Sequence, residues 1–156
     1  MNSEHNTVVT MMDLVARLDQ WRESGDTIVF TNGCFDIFHY GHAKMLRWSR
    51  QLGDRLVVGI NTDFSVSRIK KKPMFDQDAR AFVVSSLRAV DAVTLFDEVT
   101  PLELIKVVRP DVLVKGGDYA KNAIVGAKEV CSWGGRVELA PYLKGFSSSA
   151  IRSTPA

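Results

Sequence analysis

Cysteine and proline are scarce and neither sign of charge prevails: the 156-residue chain holds two cysteines, five prolines and a net charge of +2. Cys34 and Cys131 form no metal or dithiol spacing, so a reduced, cytoplasmic setting is expected. Balanced charge gives no whole-molecule attraction to nucleic acid or to a membrane surface, and neither is expected as a partner. The longest apolar runs are of strand length, far short of a bilayer span. Met1 to Thr10 reads as polar, so no charged-then-apolar leader is expected. Repeats, low-complexity tracts and Pro/Gly-rich linkers are missing too, so nothing divides the chain. With 46% hydrophobic residues it is expected to form a single domain over 1–156, a helical lead-in over 1–26 and a core over 27–151.

What is there is alternation. Short runs rich in valine and isoleucine at 27–30, 55–60, 92–95, 112–114 and 136–139 read as strands covered on both faces. Helical segments separate them. Thr10 is placed to cap a first helix, with Leu14, Leu18 and Trp21 at helical spacing, and a second runs from Ala43 to Gln51. Asp76 precedes a helix containing Phe82, Val83 and Leu87. Thr100-Pro101 supplies a cap and then a proline at the first helical position. Asn122 opens a last helix, closed by Gly134-Gly135. This order predicts an α/β fold: a Rossmann-like, doubly wound parallel five-stranded sheet with helices on both faces and right-handed crossovers. Ligands of such sheets sit at the carboxyl ends of the strands. The chemically distinctive stretches fall there: 31–42 after the first strand, 61–63 after the second, 115–119 after the fourth and 147–149 after the fifth.

The first of these says most. Thr31-Asn32-Gly33-Cys34-Phe35-Asp36-Ile37-Phe38-His39-Tyr40-Gly41-His42 sets two histidines three apart, split by a glycine, where a strand hands over to a helix N-terminus. Exposed backbone N–H groups and the positive end of the helix dipole can hold a phosphate there. Imidazoles within reach can stabilise charge as the phosphate changes geometry, without a covalent bond. A lone histidine is more often a surface or core residue satisfied by a neighbour. Two in this setting point to phosphate chemistry. The stretch resembles the H-x-G-H signature of the nucleotidyltransferase superfamily of cytidylyltransferases and adenylyltransferases. The resemblance continues through Gly53-Asp54-Arg55-Leu56-Val57-Val58-Gly59-Ile60-Asn61-Thr62-Asp63, through Lys115-Gly116-Gly117-Asp118-Tyr119 and into Gly145-Phe146-Ser147-Ser148-Ser149. It covers nearly everything from Thr27 to Ile151, and its nearest subgroup is the heptose 1-phosphate adenylyltransferases.

The resemblance implies transfer of a nucleoside monophosphate from a nucleoside triphosphate to a phosphorylated acceptor, with release of pyrophosphate. It implies Mg²⁺ carried in with the triphosphate; no carboxylate cluster marks a dedicated cage, and no metal-ligating residue is assigned. His39 and His42, with Lys71, are the implied catalytic residues. Asn32, Gly33, Cys34, Phe35, Gly41, Lys44, Lys115, Gly116, Gly117, Asp118, Gly145, Ser147, Ser148 and Ser149 are the implied nucleotide contacts. Asn61, Asp63, Lys72 and Arg80 are assigned to the acceptor. A homodimer is implied as well.

The basic run Arg68-Ile69-Lys70-Lys71-Lys72 lacks the interleaved aromatics of a base-stacking surface, and reads as a solvated face or a phosphate clamp. Here the chain departs from the heptose adenylyltransferases, whose loop is longer and carries a glycine and an arginine. From Thr62 to Arg80 the spacing matches the glycerol-3-phosphate cytidylyltransferases, with Lys71 at their nucleotide-contacting lysine. Tyr142-Leu143-Lys144-Gly145 pulls the other way, since those cytidylyltransferases carry an arginine there. The expectation is therefore ATP as donor and a heptose-like sugar 1-phosphate as acceptor. The alternative is CTP with glycerol 3-phosphate or another polyol phosphate. More distant are a nucleotide-sensing module without turnover and a nucleic-acid binder.

Overall fold

The computed structural model describes residues 7–117, 120–141 and Gly145. In chain order these form α1 (Met11–Glu23), β1 (Ile28–Gly33), α2 (Tyr40–Arg50), β2 (Arg55–Asn61), α3 (Asp63–Ser67) and α4 (Gln77–Ser85). After them come β3 (Ala92–Phe96), α5 (Leu102–Val108), β4 (Val112–Gly116), a 3₁₀ turn (Lys121–Ala123), α6 (Ala127–Ser132) and β5 (Arg136–Ala140). The five strands are parallel, in the order β3-β2-β1-β4-β5. The chain winds outward from β1 in both directions, so the strand order reverses between β1 and β4. A crevice opens there at the carboxyl ends.

The period-two alternation of each strand divides its side chains between two cores. Ile28, Phe30, Val57, Leu113 and Val137 pack under α1, α5 and α6, against Leu14, Leu18, Leu104, Ile105 and Val130. Val29, Leu56, Val58, Ile60, Val112 and Val114 pack under α2 and α4, against Leu46, Ala81 and Val84. Leu56, Val57 and Val58 are all fully buried, which is why β2 reads as an unbroken apolar run. Each such side chain contributes about 1.5–3 kcal/mol on leaving water. Outside the helices, Val9 donates to Val93 O and Val93 to Thr7 O, so the lead-in covers the open edge of β3.

The five expected strands are found, each shifted or extended by no more than a few residues. Thr10 caps α1 and Asp76 caps α4. Three helix starts differ. α2 begins at Tyr40 rather than Ala43, because His39 occupies the cap position. α5 begins after Pro101, whose own carbonyl accepts from Ile105, so the proline stands at the cap and Thr100 before it. Asn122 falls in the 3₁₀ turn, and α6 starts only after Gly126, whose φ of +85° lies where side-chain-bearing residues are strained. The short helix α3, capped by Thr62, has no counterpart in the expected elements.

Candidate active site

β1 ends at Gly33, and the chain turns sharply through Phe35, whose φ of +51° is unusual for a side-chain-bearing residue. The Phe35 ring is buried and folds back over Gly33. A Cβ on that glycine would lie 3.1 Å from Phe35 Cε2, so the turn leaves little room for a side chain there. The next residues deliver the two histidines to the start of α2. The His39 N–H donates to His42 Nδ1 at 3.4 Å, and the Gly41 N–H donates to His39 Nδ1 at 3.1 Å. The rings stack with centroids 3.8 Å apart, and Phe35 and Phe38 lie against His42 at 5.1 and 5.4 Å. Histidine takes the place of the usual Ser, Thr or Asp cap.

This capping sets the chemistry of the pair. Each Nδ1 accepts a backbone N–H, so each neutral ring carries its proton on Nε2 and keeps that N–H as a donor. Burial lowers the pKa of His42 to about 4, helped by the charges of His39 and Lys70. Burial also lowers His39. Both rings are neutral near pH 7. The site therefore offers two N–H donors at a helix start whose own amides are also donors.

Beside the pair, a cleft of about 510 Å³ is lined by Asn32, Gly33 and Cys34 from β1 and Asn61 from β2. Lys115 from β4, Lys70 and the 99–101 and 123–125 segments complete it. Asn61 is buried, its Nδ2 donating to Ser65 Oγ at 2.9 Å. Lys115 is largely enclosed, and burial lowers its pKa. Among the described residues no three His, Cys, Asp or Glu side chains gather as a metal cage.

The structure brings most of the expected residues to this end of the sheet. Gly41 is the second residue of α2 and supplies the amide that His39 caps. Gly116 ends β4, and Gly117 follows with φ +95°. Lys44 is exposed on α2, 5.7 Å from the Tyr40 ring centroid. Lys71 and Lys72 are exposed on the stretch between α3 and α4, whereas Pro73 is buried. That stretch is tied to the histidine loop by Asp36, whose Oδ1 accepts from the Met74 and Phe75 amides at 2.7 and 3.1 Å. Gly145 has φ +90°. Asp118, Ser147, Ser148 and Ser149 lie outside the described residues.

Two residues take posts other than those expected. Arg80 was expected toward the acceptor, yet its side chain has 0% exposure. It donates to Cys34 O at 2.7 Å, to Phe75 O at 3.1 Å and to Asp63 Oδ1 at 2.8 Å. A guanidinium so enclosed braces the loops around β1 rather than reaching a ligand, and it occupies the Asp63 carboxylate as well. The second is Lys70, passed over in favour of Lys71 and Lys72. It lines the cleft and bears on His42 electrostatically. Three consecutive lysines carry no signal in sequence that separates them.

A parallel sheet with this switch point, and a histidine-capped phosphate-type loop at it, define a domain of the nucleotidyltransferase class. The cytidylyltransferase-like family model matches residues 30–154, so the chain belongs to that family. It is 51% identical over 146 residues to the bifunctional protein HldE of Koribacter versatilis, covering 92% of this chain and 30% of that one. It is 48% identical over 151 residues to the bifunctional protein HldE of Methylobacillus flagellatus, covering 96% and 31%. The chain thus spans about 30% of the length of these curated relatives. Among solved structures, a lipopolysaccharide core biosynthesis protein from Thermoplasma volcanium is 27% identical with a TM-score of 0.68, over 77% of this chain and all of that one. A pantoate–β-alanine ligase from Francisella tularensis, complexed with β,γ-ATP and β-alanine, shares the fold at a TM-score of 0.67 and 14% identity, over 94% of this chain and 73% of that one. No described helix is long and apolar enough to cross a membrane.

Proposed function

We propose that this chain transfers the adenylyl group of ATP to a sugar phosphate of the heptose 1-phosphate type, giving a nucleotide-sugar and pyrophosphate. The observation that carries this reading is the reciprocal capping of α2 by His39 and His42, which leaves both Nε2–H groups as donors at a phosphate-binding helix start. The bifunctional relatives support the same reading. An oxygen of the acceptor phosphate attacks the α-phosphorus in line. The bond to the bridging oxygen breaks on the far side, and pyrophosphate leaves with that electron pair. The acceptor phosphate is already anionic, so no side-chain nucleophile or base is required. His39 and His42 stabilise the charge that builds on the equatorial oxygens, and Lys70 and Lys71 answer the charge of the leaving group.

Mg²⁺ fits as a passenger of the triphosphate. The acidic side chains nearest the loop are engaged, Asp36 by two amides and Asp63 by Arg80. Carried in this way, the ion neutralises phosphate charge. Gly33, Cys34 and Phe35 offer backbone to the nucleotide, Gly41 lets it approach the start of α2 with no side chain in the way, and Asn32 and Gly116-Gly117 lie alongside. Asp118, Gly145 and Ser147–Ser149 belong to the same proposed set. Two free thiols support a reducing, cytoplasmic setting. The exposed Phe82 and Val83 on α4 support a homodimer.

Pyrophosphate release with each of ATP, CTP, GTP and UTP, against heptose 1-phosphate and glycerol 3-phosphate, tests the proposal. Turnover with ATP and the heptose is expected. Turnover with CTP and the polyol phosphate instead would show that the short basic stretch decides the acceptor.

A further inference from the structure

Acidic and basic side chains nearly balance over the whole chain, 18 against 20, so a local excess of one sign needs a cause. One such excess stands on the outer flank of the α2/α4 layer. A groove of about 530 Å³ runs there between α2 and the segment that joins α4 to β3, and it shares no residue with the 510 Å³ cleft. Ala43, Arg47, Arg50 and Gln51 form one wall, spaced so that they share a face of α2 and its C-terminal cap. Leu87, Arg88 and Ala89 form the other. Three guanidinium groups thus line one groove, and no acidic side chain does.

The three arginines differ in how they are held. Arg50 is fixed: its Nη1 donates to Gly53 O at 2.6 Å, and its Nε lies 3.1 Å from Asp91 Oδ2. Asp91 also faces Arg55 at 3.7 Å and accepts from the Leu56 amide, so its charge is shared. Arg47 and Arg88 are exposed and form no hydrogen bond or ion pair among the described residues. Basic residues in the last turn of a helix complement its dipole, which accounts for Arg47 and Arg50. It does not account for Arg88, which a separate segment brings to the same groove. Like charges gathered without an acid repel one another, and a bound anion reverses that cost.

We infer that this groove is a second anion site, and that it takes a compact polyphosphate such as inorganic pyrophosphate. Planar guanidinium groups grip phosphate oxygens two at a time, and one fixed arginine with two unpaired ones suits a ligand bearing several such oxygens. Ala43 and Ala89 leave the groove its room, and its volume fits a small molecule. No aromatic side chain lines it, so a nucleotide base finds no stacking platform there. The assignment does not rest on the proposed transfer, although that reaction releases pyrophosphate.

Titration of the full ¹⁵N-labelled chain with inorganic pyrophosphate tests this, at about 0.15 M salt, where loosely held surface charge is screened. The amide signals of Leu87, Arg88 and Ala89 are expected to shift and to saturate with a Kd below about 1 mM. The double variant Arg47→Gln/Arg88→Gln should weaken that binding by at least about tenfold. Its own spectrum should show the fold intact, since neither side chain is buried or paired. Shifts at the histidine loop report the active site and should persist in the variant; loss of both sets together would mean a single site and overturn a second one. ATP titrated in parallel separates a free polyphosphate from a nucleotide: a weaker response at 87–89 upholds the compact ligand, and a tighter one overturns it. Shifts that never saturate, that sodium chloride of equal ionic strength reproduces, or that keep their Kd in the variant would overturn the site.

Discussion

The two ends of the sheet settle their polar groups in opposite ways. At the amino end, aspartates close the backbone. The Thr27 N–H donates to Asp54 at 2.8 Å, Ile28 to Asp111 at 2.7 Å and Leu56 to Asp91 at 2.7 Å. Arginines answer those carboxylates: Arg50 lies 3.1 Å from Asp91, and Arg55 lies 2.6 Å from Asp26. At the carboxyl end, Asn32, Asn61, Lys70 and Lys115 instead line an open cleft, and two neutral histidines keep a donor each. One end satisfies itself; the other is furnished for a ligand. Arg80 and Asp36 are exceptions at the carboxyl end, closed braces of the amino-end kind set around the reactive loop.

Substitutions should separate the two ends cleanly. The largest effect is expected from His42→Ala, which should lower kcat by about 10²–10⁴-fold while the melting temperature stays near that of the wild type. Near-normal turnover in that variant would sink the mechanism. Arg80→Met comes next. Stripping a buried guanidinium from Cys34, Phe75 and Asp63 should cost about 3–5 kcal/mol of stability and release the loop, read by denaturant melts. Equal stability would mean that the brace is dispensable.

Asp111→Ala should cost about 1–3 kcal/mol, since it leaves the Ile28 amide without its partner, and should leave kcat of the folded fraction unchanged. A selective loss of turnover there would break the division between the ends. The last effect concerns pH. The folded-state pKa of His42 is about 4, below its ordinary 6.5, so between those values the unfolded chain holds a proton that the folded chain does not. Stability should therefore fall as pH drops from about 6.5 toward 4. His42→Gln should flatten that limb, and an unchanged slope would show that His42 does not create it.

How legible each end was in the sequence follows from the same contrast. The strands could be read because burial on both faces makes them continuous apolar runs, as in Leu56-Val57-Val58. The histidine loop could be read because its residues are contiguous. The start of α2 could not, since histidine is not a customary cap and only the geometry shows its Nδ1 accepting from Gly41. α3 escaped because five residues are too few to display a helical period. Arg80 was misplaced because a buried brace and an exposed clamp look alike as an arginine in the first turns of a helix. The cleft itself was invisible. Its walls come from residues 32–34, 61–70, 99–101, 113–115 and 123–125, and only the parallel register of β1, β2 and β4 brings them together.

The most direct test of the account follows the α-phosphorus itself. ATP radiolabelled at that atom is incubated with heptose 1-phosphate and the wild-type chain, and in parallel with His42→Ala. The label is expected in a nucleotide-sugar, at a rate that collapses in the variant. Label that stays in ATP, or in AMP with no sugar product, would contradict adenylyl transfer at this loop.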